Sequence, residues 1–238
     1  MKQMLDRDLV ESMGGRLDQT NRTETIFYPG GGTTTLFRDV KVPGAIEAGV
    51  VRIVLETLRV SNSIDIANKD QDLSPSGKLN RRRALEVERA KVVKELDAAD
   101  RYADDLTVLA RIREETLYQA PPLEATDAAG ALIDQEIRAY FRALTGEPLT
   151  QALNQLQAGQ NPRQLEALMR SPIPFAPAIA DLCAIAWEAH LETEEAAEVQ
   201  AVTHDRDVAA WATGACAQLR TQLDKLAFFE PAGVLQAA

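Results

Sequence analysis

His190 and Glu194 lie one helical turn apart, a spacing at which an imidazole and a carboxylate could share one metal ion. A transition-metal site normally takes about three or four ligands, and no second His, Cys or carboxylate pair at helical spacing supplies them. A surface histidine beside a carboxylate is the simpler reading, and His204-Asp205 reads as a helix cap. No metal and no cofactor is expected. Cys183 could be cast as a nucleophile with a distant histidine as base. It sits among Leu182, Ile185 and Ala186, however, where a thiolate is disfavoured. Cys183 and Cys216 are too few for a disulfide framework, and both fit apolar helical patterns as small buried hydrophobes.

Gly30-Gly31-Gly32 lacks the Lys-Ser/Thr that follows a phosphate loop, and it leads into a strand-like segment. It reads as a turn. Arg163 and Arg170 raise the possibility of a helix-turn-helix, but the second helix would offer only these two cations beside Glu166. A structural helical hairpin accounts for them better. Ser74 and Ser76 stand in a loop without a motif, and the abundant carboxylates single out no acid–base dyad. No catalytic residue is assigned, and the chain is not expected to be an enzyme.

The bulk numbers point the same way. With net charge −10 and a pI near 4.8, the 238-residue chain lacks the clustered cations that displace counterions from phosphates. Arg81-Arg82-Arg83 opens a charged helix and reads as a solvated or salt-bridged face, so nucleic acid is not expected as the main partner. Lys2, Asp6, Arg7 and Asp8 interrupt any leader pattern, and no apolar run approaches the ~20 residues of a spanning helix. Aromatics are only 5%, while Ala, Leu, Glu, Gln and Arg abound, a bias toward helix.

The elements that would position these side chains follow from periodicity. Met4 to Met13 is a short amphipathic segment stopped by Gly14-Gly15. Thr23–Tyr28 and Thr33–Val42 flank Pro29-Gly30-Gly31-Gly32, the pattern of a hairpin or projecting arm. Residues 46–67 fit a helix through Ile46, Val50, Ile53, Val54, Thr57 and Leu58, although their β-branched run would also suit a strand. After Gly77, Leu85, Val92, Ala99 and Leu106 recur by seven. Leu96, Ala103, Ala110 and Leu117 form a second row offset by four. Such rows make an a/d seam, interrupted at Arg89 and Arg113. Leu96 and Leu106 are expected to be buried, with Glu86, Glu88, Lys94 and Glu95 facing water.

A helix from Lys78 to Tyr118 would span about 60 Å. Pro121-Pro122 stops it, and a helix with Leu132, Ile133, Ile137, Tyr140, Phe141 and Leu144 on one face follows. Short helices over 148–158 and 162–170 come next, then a proline connector. Two helices over 178–229 are expected to break near Thr203-His204-Asp205. The expected fold is mainly α: a long-helix bundle with heptad packing plus a small N-terminal β-hairpin or arm. Residues 1–70 would form the N-terminal segment and 71–238 the bundle domain.

Two stretches carry a resemblance. One runs from Ile64 through Asn68, Asp70, Gln71 and Asp72 to Ser74-Pro75-Ser76-Gly77. The other joins Glu136-Ile137-Arg138 through Leu144 to Leu153–Gln160 and Leu165–Pro172. Together they resemble helical proteins encoded among the virion structural genes of tailed bacteriophages, over about the middle half of the chain. The resemblance implies a non-enzymatic virion part, a head, head–tail connector or internal protein, found in the particle and in host cytoplasm during assembly. Its partners would be capsid, portal or tail components and further copies of itself. It carries over no functional residue. A scaffolding or assembly-chaperone protein is the alternative, and a helical enzyme with an unrecognised site the third. Phe27, Tyr28, Phe37, Phe228 and Phe229 cluster at turns and the chain end, and these aromatics are the expected interface anchors.

Overall fold

In the computed structural model residues 4–226 are described. The order is α1 (Arg7–Ser12), β1 (Arg16–Gln19), β2 (Thr23–Phe27), β3 (Thr33–Phe37), α2 (Gly44–Lys69) and α3 (Pro75–Leu117). Then follow α4 (Ala128–Ala143), α5 (Gly146–Gln157), α6 (Pro162–Met169), α7 (Pro177–Glu194) and α8 (Ala196–Lys225). The protein is mainly α with a small N-terminal antiparallel sheet, as the periodicities predict. Contacts group the chain as unit 1, Met1–Val108 with His204–Ala238, and unit 2, Leu109–Thr203. The expected division at residue 70 therefore differs from the observed one. Segments distant in sequence close unit 1, which spacing along the chain does not reveal.

In unit 1 the sheet is part of the core rather than an arm. Leu17, Ile26 and Leu36 are buried with Val54 and Leu58 of α2, Leu96 of α3 and Leu219 of α8. The hairpin expectation missed β1, which pairs antiparallel with β2 through Leu17 opposite Ile26. On the other side β3 is an edge, and its outward backbone groups need partners once buried. Helix α8 supplies them. Gln218 takes the Thr35 amide at 2.7 Å and donates back to the Thr35 carbonyl at 3.2 Å. The Trp211 indole donates to the Phe37 carbonyl at 2.9 Å, and Gln222 donates to the Gly31 carbonyl at 2.9 Å. Ser61 of α2 ties down the Pro29 carbonyl at 2.7 Å. Gly32 has φ +90°, and a Cβ there would lie 1.9 Å from the Gln222 amide oxygen, so turn and helix together require glycine. Beneath the sheet, the fully buried Glu24 carboxylate accepts the Met4 and Leu5 amides at 3.1 and 2.9 Å.

The 46–67 segment is helical. Val50, Ile53, Val54, Thr57, Leu58, Ser61 and Ile64 recur at three and four and are buried together. Thr57 satisfies its hydroxyl on the Ile53 carbonyl at 2.8 Å. The heptad seam of α3 is real at Leu85, Val92, Leu96 and Ala103 in unit 1, and Ala99 is half-buried. Leu106 departs from expectation, being only half-buried. Glu86, Lys94 and Glu95 are exposed as expected, and half-exposed Glu88 pairs with Arg59 at 3.1 Å. Leu96→Ala should cost about 2–5 kcal/mol and Leu106→Ala clearly less, read from paired urea melts. Equal losses would contradict the burial seen here. The expected break at 203–205 lies inside α8; the helix boundary falls at Glu195 instead.

In unit 2, Phe141, Leu156, Leu165, Leu168, Trp187 and Leu191 form a second core joining α4, α5, α6 and α7. Asn161 and Pro162 start α6 as expected, although the Asn161 side chain makes no capping bond.

Candidate interaction surface

Of the five expected aromatic anchors, Tyr28 is corrected outright. It is 5% exposed, packs in the unit 1 core and donates its hydroxyl to Thr34 at 3.0 Å. Burial, partly offset by that bond, pushes the phenol well above its ordinary pKa. Phe27 is half-buried beneath the Arg16 guanidinium, 4.0 Å from its ring centroid. Phe37 is exposed at its side chain. Phe228 and Phe229 lie outside the described residues.

His190 packs against Trp187 with ring centroids 5.3 Å apart. Among the described residues no group of three or more His, Cys, Asp and Glu is placed to hold a metal ion. Burial pushes the Cys183 thiol up to about 11; burial first, then Asp100, pushes Cys216 up to about 12. Both thiols therefore stay protonated near neutral pH. Among the described residues no helix is long and apolar enough to cross a membrane.

What the structure assembles instead is a helix face, and it is built from the bottom of α4 upward. Asp127 caps the helix by accepting the Gly130 amide at 2.7 Å. On the inward side Phe141 and Asp134 are buried, with Ile137 and Leu144 half-buried. A carboxylate that is 1% exposed needs charged partners. Asp134 receives Arg170 Nε at 2.9 Å and Nη2 at 3.3 Å, and Arg163 Nη2 at 2.8 Å. Arg170 also donates to the Pro121 carbonyl at 2.8 Å and to Glu166 at 3.1 Å. Desolvation would lower the Arg170 guanidinium pKa, but these hydrogen bonds outweigh it and hold the group above its ordinary value. The two arginines weighed as a nucleic-acid reader are thus engaged within unit 2, binding α6 to α4. Their seven-residue spacing, which puts them on one face of α6, was the available signal. Asp134 itself had gone unnoticed.

Locking Asp134 inward turns the opposite side of α4 to solvent. Leu132 (62%), Ile133 (47%) and Tyr140 (53%) are exposed, and Ala129, Glu136 and Ala143 share their face. The six expected core positions of α4 therefore divide. They span about half the helix circumference, and the core reaches only the Ile137, Phe141 and Leu144 side. The remaining large groups, Leu132, Ile133 and Tyr140, form with Ala129 and Glu136 a stripe at i, i+3, i+4, i+7 and i+11 from Ala129, the spacing by which one helix meets another. The chain matches no protein-family model, no curated protein and no solved structure.

Proposed function

We propose that the chain is a non-enzymatic structural component of a bacteriophage virion that works through protein–protein contacts. The virion part of this reading rests on the two stretches that resemble phage structural proteins. The contact part is supported by one observation, the solvent face of α4, where Leu132, Ile133 and Tyr140 stand together. Scattered apolar side chains on a surface need no explanation, whereas a contiguous helical stripe marks an interaction site. The test is mass spectrometry of purified virions from the phage that encodes the chain, with wild type and Leu132→Ser/Tyr140→Ser compared. The wild type should be present at many copies per particle. The exposed double variant should fold, by circular dichroism, and be depleted from particles by about tenfold or more. Absence of the wild-type chain from virions, or full incorporation of the variant, would rule the reading out.

A further inference from the structure

The stripe on α4 contains one charge. Glu136 sits seven residues after Ala129, flanked by Leu132, Ile133 and Tyr140, and among the described residues it makes no ion pair. The nearest cations in sequence on α4, Arg138 and Arg142, are both engaged elsewhere. Arg142 donates to Ser171 Oγ at 3.0 Å and to the Ile173 carbonyl at 3.2 Å, and it lies 4.7 Å from the Phe175 ring centroid. Arg138 likewise donates to the Arg170 carbonyl at 3.3 Å. Nothing within unit 2 therefore neutralises Glu136 once the stripe is covered.

That charge discriminates between occupants. A second copy laid antiparallel on α4 and crossing at Glu136 would bring carboxylate against carboxylate, between chains that each carry net charge −10. A covering surface that left Glu136 unpaired would carry the desolvation cost of a lone carboxylate. We infer that the α4 face binds an amphipathic helix of a different, basic partner, with a lysine or arginine in its apolar stripe opposite Glu136. Leu132, Ile133 and Tyr140 supply the apolar contacts, and the central ion pair sets register and partner choice, as a lone charged a-position does in a coiled coil. Within the proposed function, this names the chemistry of the partner at the same face.

The test uses the full chain and two synthetic amphipathic peptides, with leucine at a and d and either lysine or glutamate at the central a position. Binding is measured by fluorescence anisotropy. Wild type should prefer the lysine peptide by about tenfold, Glu136→Ala should erase the preference, and Glu136→Lys should reverse it. Position 136 is on the solvent side of α4, so both variants should keep the wild-type circular dichroism spectrum. A preference that Glu136→Lys leaves unmoved overturns the inference, and so does failure of wild type to bind either peptide. Sedimentation as a dimer that Leu132→Asp disperses would give the face to a second copy, and would overturn it equally. These outcomes are separate from the virion test: a chain absent from particles sinks the proposed function whatever the peptides do.

Discussion

Removing residues 23–42 is expected to unfold unit 1 rather than merely trim a projection. The deletion takes away Ile26, Tyr28 and Leu36, which are 0%, 5% and 1% exposed. Burying each such side chain is worth about 1.5–3 kcal/mol. It also strips Gln218, Gln222 and Trp211 of the backbone carbonyls to which they donate, and Ser61 of the Pro29 carbonyl. A buried donor left without its acceptor costs about 1–3 kcal/mol. The combined loss rivals the whole stability of an ordinary domain, about 5–15 kcal/mol. Circular dichroism should show a large fall in helix signal, and thermal melting should lose its sharp transition. A deletion protein that keeps wild-type helicity and melts cooperatively would mean that the sheet is dispensable to the core. Gly32→Val is the milder companion. It places a side chain where the Gln222 amide sits and should destabilise unit 1 without removing any strand.

The second large effect belongs to Asp134. Its carboxylate holds Arg163 and Arg170, and Arg170 in turn holds the Pro121 carbonyl and Glu166. Asp134→Ala leaves the side chain of Arg170, 11% exposed, with the Glu166 contact and without the carboxylate that balanced it. Breaking a buried pair from one side typically costs about 3–5 kcal/mol, because the remaining charge stays desolvated. Trp187 reports on this unit and Trp211 on the other, so a Trp211→Phe background lets urea unfolding of unit 2 be read by fluorescence alone. Asp134→Asn retains acceptor and shape and should lose less. Replacing Asp134, Arg163 and Arg170 together by apolar residues of similar volume should lose less than Asp134→Ala, since no charge is stranded. If Asp134→Ala unfolds at the wild-type urea concentration, the network contributes nothing and another contact fixes the rotation of α4.

Local periodicity made much of this architecture legible. The three- and four-residue recurrence of Val50, Ile53, Val54, Thr57 and Leu58 outweighs the β-branched character of the segment, because burial of one stripe exceeds the small propensity penalty per residue. The rows through Leu85, Val92 and Leu96 name α3 and its inward edge in advance. Proline and glycine place the ends of α3, α5 and α6 close to where they are found. The candidate site was less legible. Leu132, Ile133 and Tyr140 share a helical arc with Phe141, and a one-dimensional pattern treats all four as core. Nor does the pattern show that Tyr28, an expected anchor, lies inside.

The sequence by itself determined the helices, the strands of the hairpin and the acidic net charge. These depend on neighbours within a turn or two of one another and on composition. Tertiary structure alone decided that the sheet belongs to the core, that α8 completes the edge of β3, and that Asp134 faces inward while Glu136 faces out. Those outcomes turn on which of several apolar faces finds a partner, and the contacts that settle it join residues as far apart as Thr35 and Gln218. A wide apolar arc on a helix permits more than one orientation. In α4 the buried carboxylate between two arginines selects one of them, and so selects the face left to solvent.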